Sequence, residues 1–258
     1  MDRKSFVTGT ASFVYLATTA RVANAAETTV LHVYGPGGPA PAMRAVAVDF
    51  EARTRTHVEL VAGPTPMWKA RALEDADAIF SGSENMMTDF TTQLPGLIAE
   101  TTIEPAYVRP ASILVHRGNP LKIAGLRDLF RPGIRVMIVQ GAGQTGMWED
   151  LAGRGPHALA NVRALRKNIV TYAANSAVAL TAWTGADPPD AWIIYNIWQV
   201  AHPDVATVVP IEPEFALYRD AGIALTARGL TNAFAKSFYD FVLSADGARI
   251  FEKWGWST

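Results

Sequence analysis

The chain has 258 residues, with 23 Lys and Arg against 24 Asp and Glu, and no cysteine. A net charge of −1 removes the general positive field on which nucleic-acid binding rests. The missing thiol excludes disulfides, thiolate catalysis and cysteine metal sites.

The first expected element is a leader. Arg3 and Lys4 precede an uncharged, moderately apolar stretch over 5–20, and Ala23-Asn24-Ala25 supplies an A-x-A cleavage site. This reads as a cleaved signal peptide over 1–26, with export to the periplasm and no stable membrane insertion. Cleavage after Ala25 removes Arg3, Lys4 and Arg21 against Asp2 and takes the charge from −1 to near −3.

Short β-rich runs then alternate with helical stretches. Strands are expected over 29–34, 57–61 and 78–80, with helices over 42–54 and 68–74 between them. This β-α-β-α-β order is that of a parallel α/β sheet. The strands run into Gly35-Pro36-Gly37-Gly38-Pro39, Gly63-Pro64-Thr65-Pro66 and Ser81-Gly82-Ser83, and ligands of open α/β sheets bind beyond such carboxyl ends. A second block places strands at 135–140, 169–174, 192–195 and 205–209, with helices starting near Thr145 and Ser176. Strands at 112–115 and 222–225 flank this block, and 231–254 reads as helix. The division is discontinuous: lobe one is 27–110 plus 218–258, and lobe two is 111–217. Two lobes joined by two crossing strands make a cleft that closes by a hinge.

Gly141, Gly143 and Gly146 form a G-x-G-x-x-G turn between an expected strand and an expected helix. Free N–H groups and the helix dipole converge on such a turn and hold an anion. A dinucleotide fingerprint needs an acid about 20 positions on, where Leu165-Arg166-Lys167-Asn168 stands instead. A Walker loop needs Lys and Ser or Thr where Met147 and Trp148 stand. A small-anion site and an unliganded glycine turn both remain open.

The segments Tyr34-Gly35-Pro36-Gly37-Gly38-Pro39, Ala62-Gly63-Pro64-Thr65-Pro66, Phe80-Ser81-Gly82-Ser83-Glu84 and Gly118-Asn119-Pro120-Leu121-Lys122-Ile123 carry a family resemblance, with 141–150. Asp190-Ala191-Trp192-Ile193-Ile194-Tyr195 and the ending Ile250-Phe251-Glu252-Lys253-Trp254-Gly255-Trp256 add to it. Together they resemble the accessory colonization factor AcfC family, among the type II periplasmic solute-binding proteins and next to the sulfate and molybdate binders. The resemblance implies an α/β, two-lobed type II periplasmic-binding-protein fold with mixed, mostly parallel sheets. It implies capture of a small anion for an ABC-type permease, with no cofactor. In molybdate-type binders the ligand is held by two loops of lobe one and, from lobe two, by a helix start, a short loop and a Tyr. These map onto Gly37 and Gly38, onto Thr65, onto Gly143, Gln144, Thr145 and Gly146, onto Asn175 and Ser176, and onto Tyr195. Where molybdate binders use a Ser, the first loop has only Gly and Pro, which argues against a metal oxyanion.

Each candidate also has a plainer role. Thr65 is a turn residue before Pro66; Ser81 and Ser83 end a strand where a helix cap falls; Asn175 and Ser176 cap the next helix. Tyr195 is equally a core tyrosine, and Arg109, before Pro110, is equally a solvated arginine. Facing the cleft, Arg109 selects a carboxylate or phosphate, which a guanidinium holds bidentately. The five His have no metal-ligand spacing, and neither G-x-S-x-G nor H-E-x-x-H occurs. The reading is therefore a binding protein without catalytic or metal residues, a homodimer staying open. The alternative is a surface adhesin or colonization factor with a residual pocket.

Overall fold

The structure is a computed structural model describing Met1, residues 29–141 and residues 143–258. Beyond Met1, the expected leader over 1–26 lies outside the described residues, as does Ala142 of the glycine turn.

The first α/β unit follows the expected order. Strand β1 (Val30–Gly35) is flanked by β2 (His57–Ala62) and β3 (Ala78–Phe80), both parallel to it. Helix α1 (Ala40–Thr54) carries Pro41 in its first turn, where a missing N–H costs nothing. Its buried Met43, Val46, Ala47 and Phe50 follow the 3.6-residue period and cover the sheet. Helix α2 (Thr65–Asp75) joins β2 to β3. Helix α3 (Glu84–Gln93), absent from the predicted elements, starts at Ser83, whose Oγ accepts from the Met86 N–H at 3.2 Å.

The second unit is built on β5 (Val136–Val139), with β6 (Ile169–Ala173) and β7 (Ala191–Tyr195) parallel on either side. Helices α4 (Met147–Arg154) and α5 (Ala158–Asn168) lie between β5 and β6, and α6 (Ser176–Trp183) and α7 (Ile197–Ala201) bracket β7. Helix α4 begins at Met147 rather than Thr145, because Gly146 at its N-cap is left-handed at φ 75°. Asn175 caps α6 through the Val178 N–H at 3.0 Å.

Two antiparallel strands join the units. The first half of β4 (Glu104–Val115) pairs with β9 (Tyr218–Leu225), and its second half with β7 and with β8 (Thr207–Pro210). The order β2-β1-β3-β9-β4-β7-β5-β6, with β8 beside β4, is thus a mixed sheet running through both units. The wound units are parallel, and every antiparallel pairing involves β4 or β9. The expected C-terminal helix is two, α8 (Ala233–Val242) and α9 (Ala245–Lys253), broken where Ser244 caps the second through the Gly247 N–H. Both pack on α1, with Phe50 edge-on to Phe238 at 5.3 Å.

Candidate functional site

The loops after β1, β2, β3 and β6 and the end of β7 meet around a cavity of about 420 Å³. Gly37, Gly38, Thr65, Arg109, Gln144, Asn175, Ser176 and Tyr195 line it, so eight predicted positions come together. The other five do not line it. Ser81 is fully buried and its Oγ accepts from the Gly222 N–H; Ser83 is spent on capping α3. Gly143, Thr145 and Gly146 lie outside the lining, with Thr145 exposed to solvent. The glycine turn therefore contributes Gln144, not a run of four residues.

That turn is shaped by close approach. Gly143 has φ 74°, and a Cβ on it would stand 2.7 Å from Ser83 Oγ across the cleft. At Gly141 a Cβ would run into the carbonyl of Ala174. Gln144 turns inward, donating from Nε2 to Ser176 Oγ at 3.0 Å. Its buried Oε1 has no donor among the described residues.

Arg109 dominates the electrostatics. Its residue is only 3% exposed, and its guanidinium stacks between the Tyr195 ring at 3.8 Å and the Trp256 ring at 4.4 Å. Nη1 donates to the Asp220 carbonyl at 2.6 Å and Nη2 to the Gly82 carbonyl at 2.7 Å. Nη1 also reaches the Arg219 carbonyl at 3.4 Å; all three acceptors are neutral, and among the described residues no carboxylate forms an ion pair with the guanidinium. Its Nε–H is buried without an acceptor. Burial pushes its pKa down to about 10, which leaves the group charged at neutral pH. The Asp220 carboxylate is near enough to favour its charge without forming an ion pair, and a buried cation that keeps spare donors can still receive an anion.

Tyr195 is 1% exposed, and burial raises its phenol above the ordinary value against the lowering effect of Arg109. The protonated hydroxyl donates to the Gly143 carbonyl at 2.8 Å. Its role in the site is to hold the glycine turn and to cover Arg109. Around the junction, Arg219 on β9 pairs with Asp150 on α4 at 2.7 Å.

Sequence reasoning missed several residues around the site, among them Trp256, which lies outside the cavity lining and stacks on Arg109. Trp256 reaches Arg109 because Ser257 forms a two-way backbone bridge with Val108. Gly82, Met86, Asp89, Phe90, Gln93 and Trp198 line the cavity itself. The spacing of Met86, Asp89, Phe90 and Gln93 is a helix face, legible once Ser83 is taken as a cap. A wider hollow of about 670 Å³ lies open on the outer side of α1, and Arg44 is its sole charged lining residue.

Residues 31–257 match the family of bacterial extracellular solute-binding proteins, and the chain belongs to it. It is similar to PEB3 from Campylobacter jejuni, at 33% identity over 88% of this chain and 99% of that one, with a TM-score of 0.82. L-phospholactate-bound PEB3 gives 32% identity over the same shares and a TM-score of 0.83. The sulfate-binding protein SubI from Mycobacterium tuberculosis shares the fold, at 16% identity, 88% and 86% coverage and a TM-score of 0.72. No curated protein matches the chain. Among the described residues no helix is long and apolar enough to cross a membrane.

Proposed function

We propose that this chain is a periplasmic binding protein that captures a small phosphorylated or carboxylated organic acid and delivers it to an ABC-type permease. Its lobes are 27–110 plus 218–258 and 111–217, closing on the ligand, and 1–26 is the cleaved signal peptide. The carrying observation is Arg109, a buried guanidinium lining the cavity with an unanswered Nε–H and only neutral acceptors. Its planar fork suits carboxylate and phosphate oxygens. The hydroxyls of Ser176 and Thr65 and the amide of Asn175 supply neutral donors around it. The volume of about 420 Å³ falls within the roughly 300–1,000 Å³ of organic-ligand pockets, so a bare tetrahedral oxyanion leaves most of it empty. L-phospholactate in PEB3 is a ligand of this chemistry. The likeness to the AcfC family agrees with an exported anion binder.

Titration calorimetry of the mature protein with L-phospholactate, phosphate, sulfate and citrate tests the reading. The expected result is saturable one-to-one binding of an organic acid, tighter than sulfate, and weakened at least about tenfold in Arg109→Gln. Sulfate binding equally well, or Arg109→Gln binding like wild type, would overturn it.

A further inference from the structure

One wall of the cavity is a single face of α3. Met86, Asp89, Phe90 and Gln93 line it at helical spacing, with Met86 and Phe90 buried and Asp89 and Gln93 solvent-exposed. Asp89 is the sole acidic residue in the lining, and Arg109 the sole basic one. Among the described residues Asp89 pairs with no cation. Gly82, which accepts from Arg109, precedes the helix, and a rise of about 1.5 Å per residue sets Asp89 on the order of 10 Å along the wall.

A carboxylate there works against a wholly anionic ligand. At roughly 10 Å it opposes one negative charge about twofold in bulk water, and more than tenfold at a protein-surface dielectric. The cavity also holds Gln144 Oε1, an acceptor in a residue 6% exposed, with no donor. The buried Gln144 Oε1 asks for a donor on the ligand, and the solvent-exposed Asp89 offers it a negative charge that no cation among the described residues answers.

Resting on the anion-binding reading, we infer that the ligand is zwitterionic: a phosphorylated or carboxylated acid whose end away from Arg109 carries an ammonium group held by Asp89. Asp89 is then the residue that sets specificity among small acids, and Gln93 and Gln144 supply neutral acceptors beside it.

Calorimetry with two probes tests this. O-phospho-L-serine carries the amine, and 3-phosphooxypropionate lacks only that amine. The wild type is expected to bind phosphoserine at least about tenfold more tightly. Asp89→Asn weakens phosphoserine and strengthens the amine-free acid about twofold, so the preference collapses. Since Asp89 is exposed, the variant folds, which an unchanged thermal midpoint verifies. Equal binding of the two probes by wild type, or a preference that survives Asp89→Asn, overturns the inference while leaving the anion site standing. Failure of both probes and of L-phospholactate to bind overturns the anion site, and this inference with it.

Discussion

In the proposed reading, recognition turns on Arg109. A guanidinium held by two aromatic rings and three carbonyls is positioned by the fold, so little side-chain entropy is lost when a ligand binds. Each hydrogen bond to a charged partner contributes about 1.5–3 kcal/mol, and about 1.4 kcal/mol is tenfold in affinity. Arg109→Gln should therefore weaken L-phospholactate about 10- to 100-fold by calorimetry, and Arg109→Lys should fail to restore it, lacking the planar fork. The pH dependence follows the direction of the shift. Burial lowers this base to about 10, so the cation is present below that pH and lost as pH rises through it. Affinity should hold between about pH 7 and pH 9 and fall toward pH 10. Tyr195 acts differently. Tyr195→Phe keeps the ring over Arg109 and removes the tether to the Gly143 carbonyl. The expected loss is about five- to tenfold in affinity, a net hydrogen bond being about 1 kcal/mol; a wild-type dissociation constant would remove the tether from the account.

At the scale of elements, α3 carries the most consequence. Its first residue, Glu84, donates its N–H to Asp220 Oδ1 at 2.9 Å, while Asp220 Oδ2 is buried without a partner. Burial, then the Asp220 charge, raises the Glu84 pKa above the ordinary carboxylate value. An acid whose folded pKa is raised contributes its stability below the unfolded pKa and loses it as pH rises through the folded one. At neutral pH the Glu84 charge is therefore unfavourable to the fold. Glu84→Gln should raise the melting midpoint by about 1–2 °C at pH 7, on the scale of surface substitutions in a chain this size. The gain should vanish near pH 4, where both side chains are neutral. Calorimetric scans at the two pH values check it, and an equal gain at both would rule out the charge as its source. The same helix shows why some candidates were misplaced. Ser83 ends a strand and starts a helix, and its hydroxyl completes the cap instead of facing the ligand.

For the whole molecule, the two units meet at Gly143. Its missing side chain lets the glycine turn lie against Ser83 of the other unit, beside the cavity. Gly143→Ala places a methyl 2.7 Å from Ser83 Oγ at a φ of 74°, which an L side chain adopts at a cost of roughly 1–2 kcal/mol. It should hold the units apart without altering any residue of the lining. Small-angle scattering should show the wild type contracting on saturation with L-phospholactate and the variant contracting less, with affinity lowered about tenfold. Identical contraction in both would mean that closure does not pass through this contact. Only differential contacts with the open and closed forms shift their balance, so the ligand must touch both units.

Much of this was legible along the chain because periodicity and turn chemistry are local. The alternation of β-branched runs with helical stretches placed the wound units and the Gly- and Pro-rich strand ends beside the cavity, while the family resemblance, mapped residue by residue, supplied most of the eight lining positions, Thr65, Ser176 and Tyr195 among them. Local pattern left Arg109 open between solvent and cleft, with a carboxylate or phosphate preference only if it faced in. It was silent where partners are distant in sequence. Nothing around Arg109 shows that Trp256 will stack on it, since the tail reaches it only by pairing with Val108. Nothing around Asp89 shows that it shares a cavity with Arg109, since that depends on α3 docking beside β9. Burial of the guanidinium, and with it the demand for an anion, arises when segments more than a hundred residues apart close over one side chain.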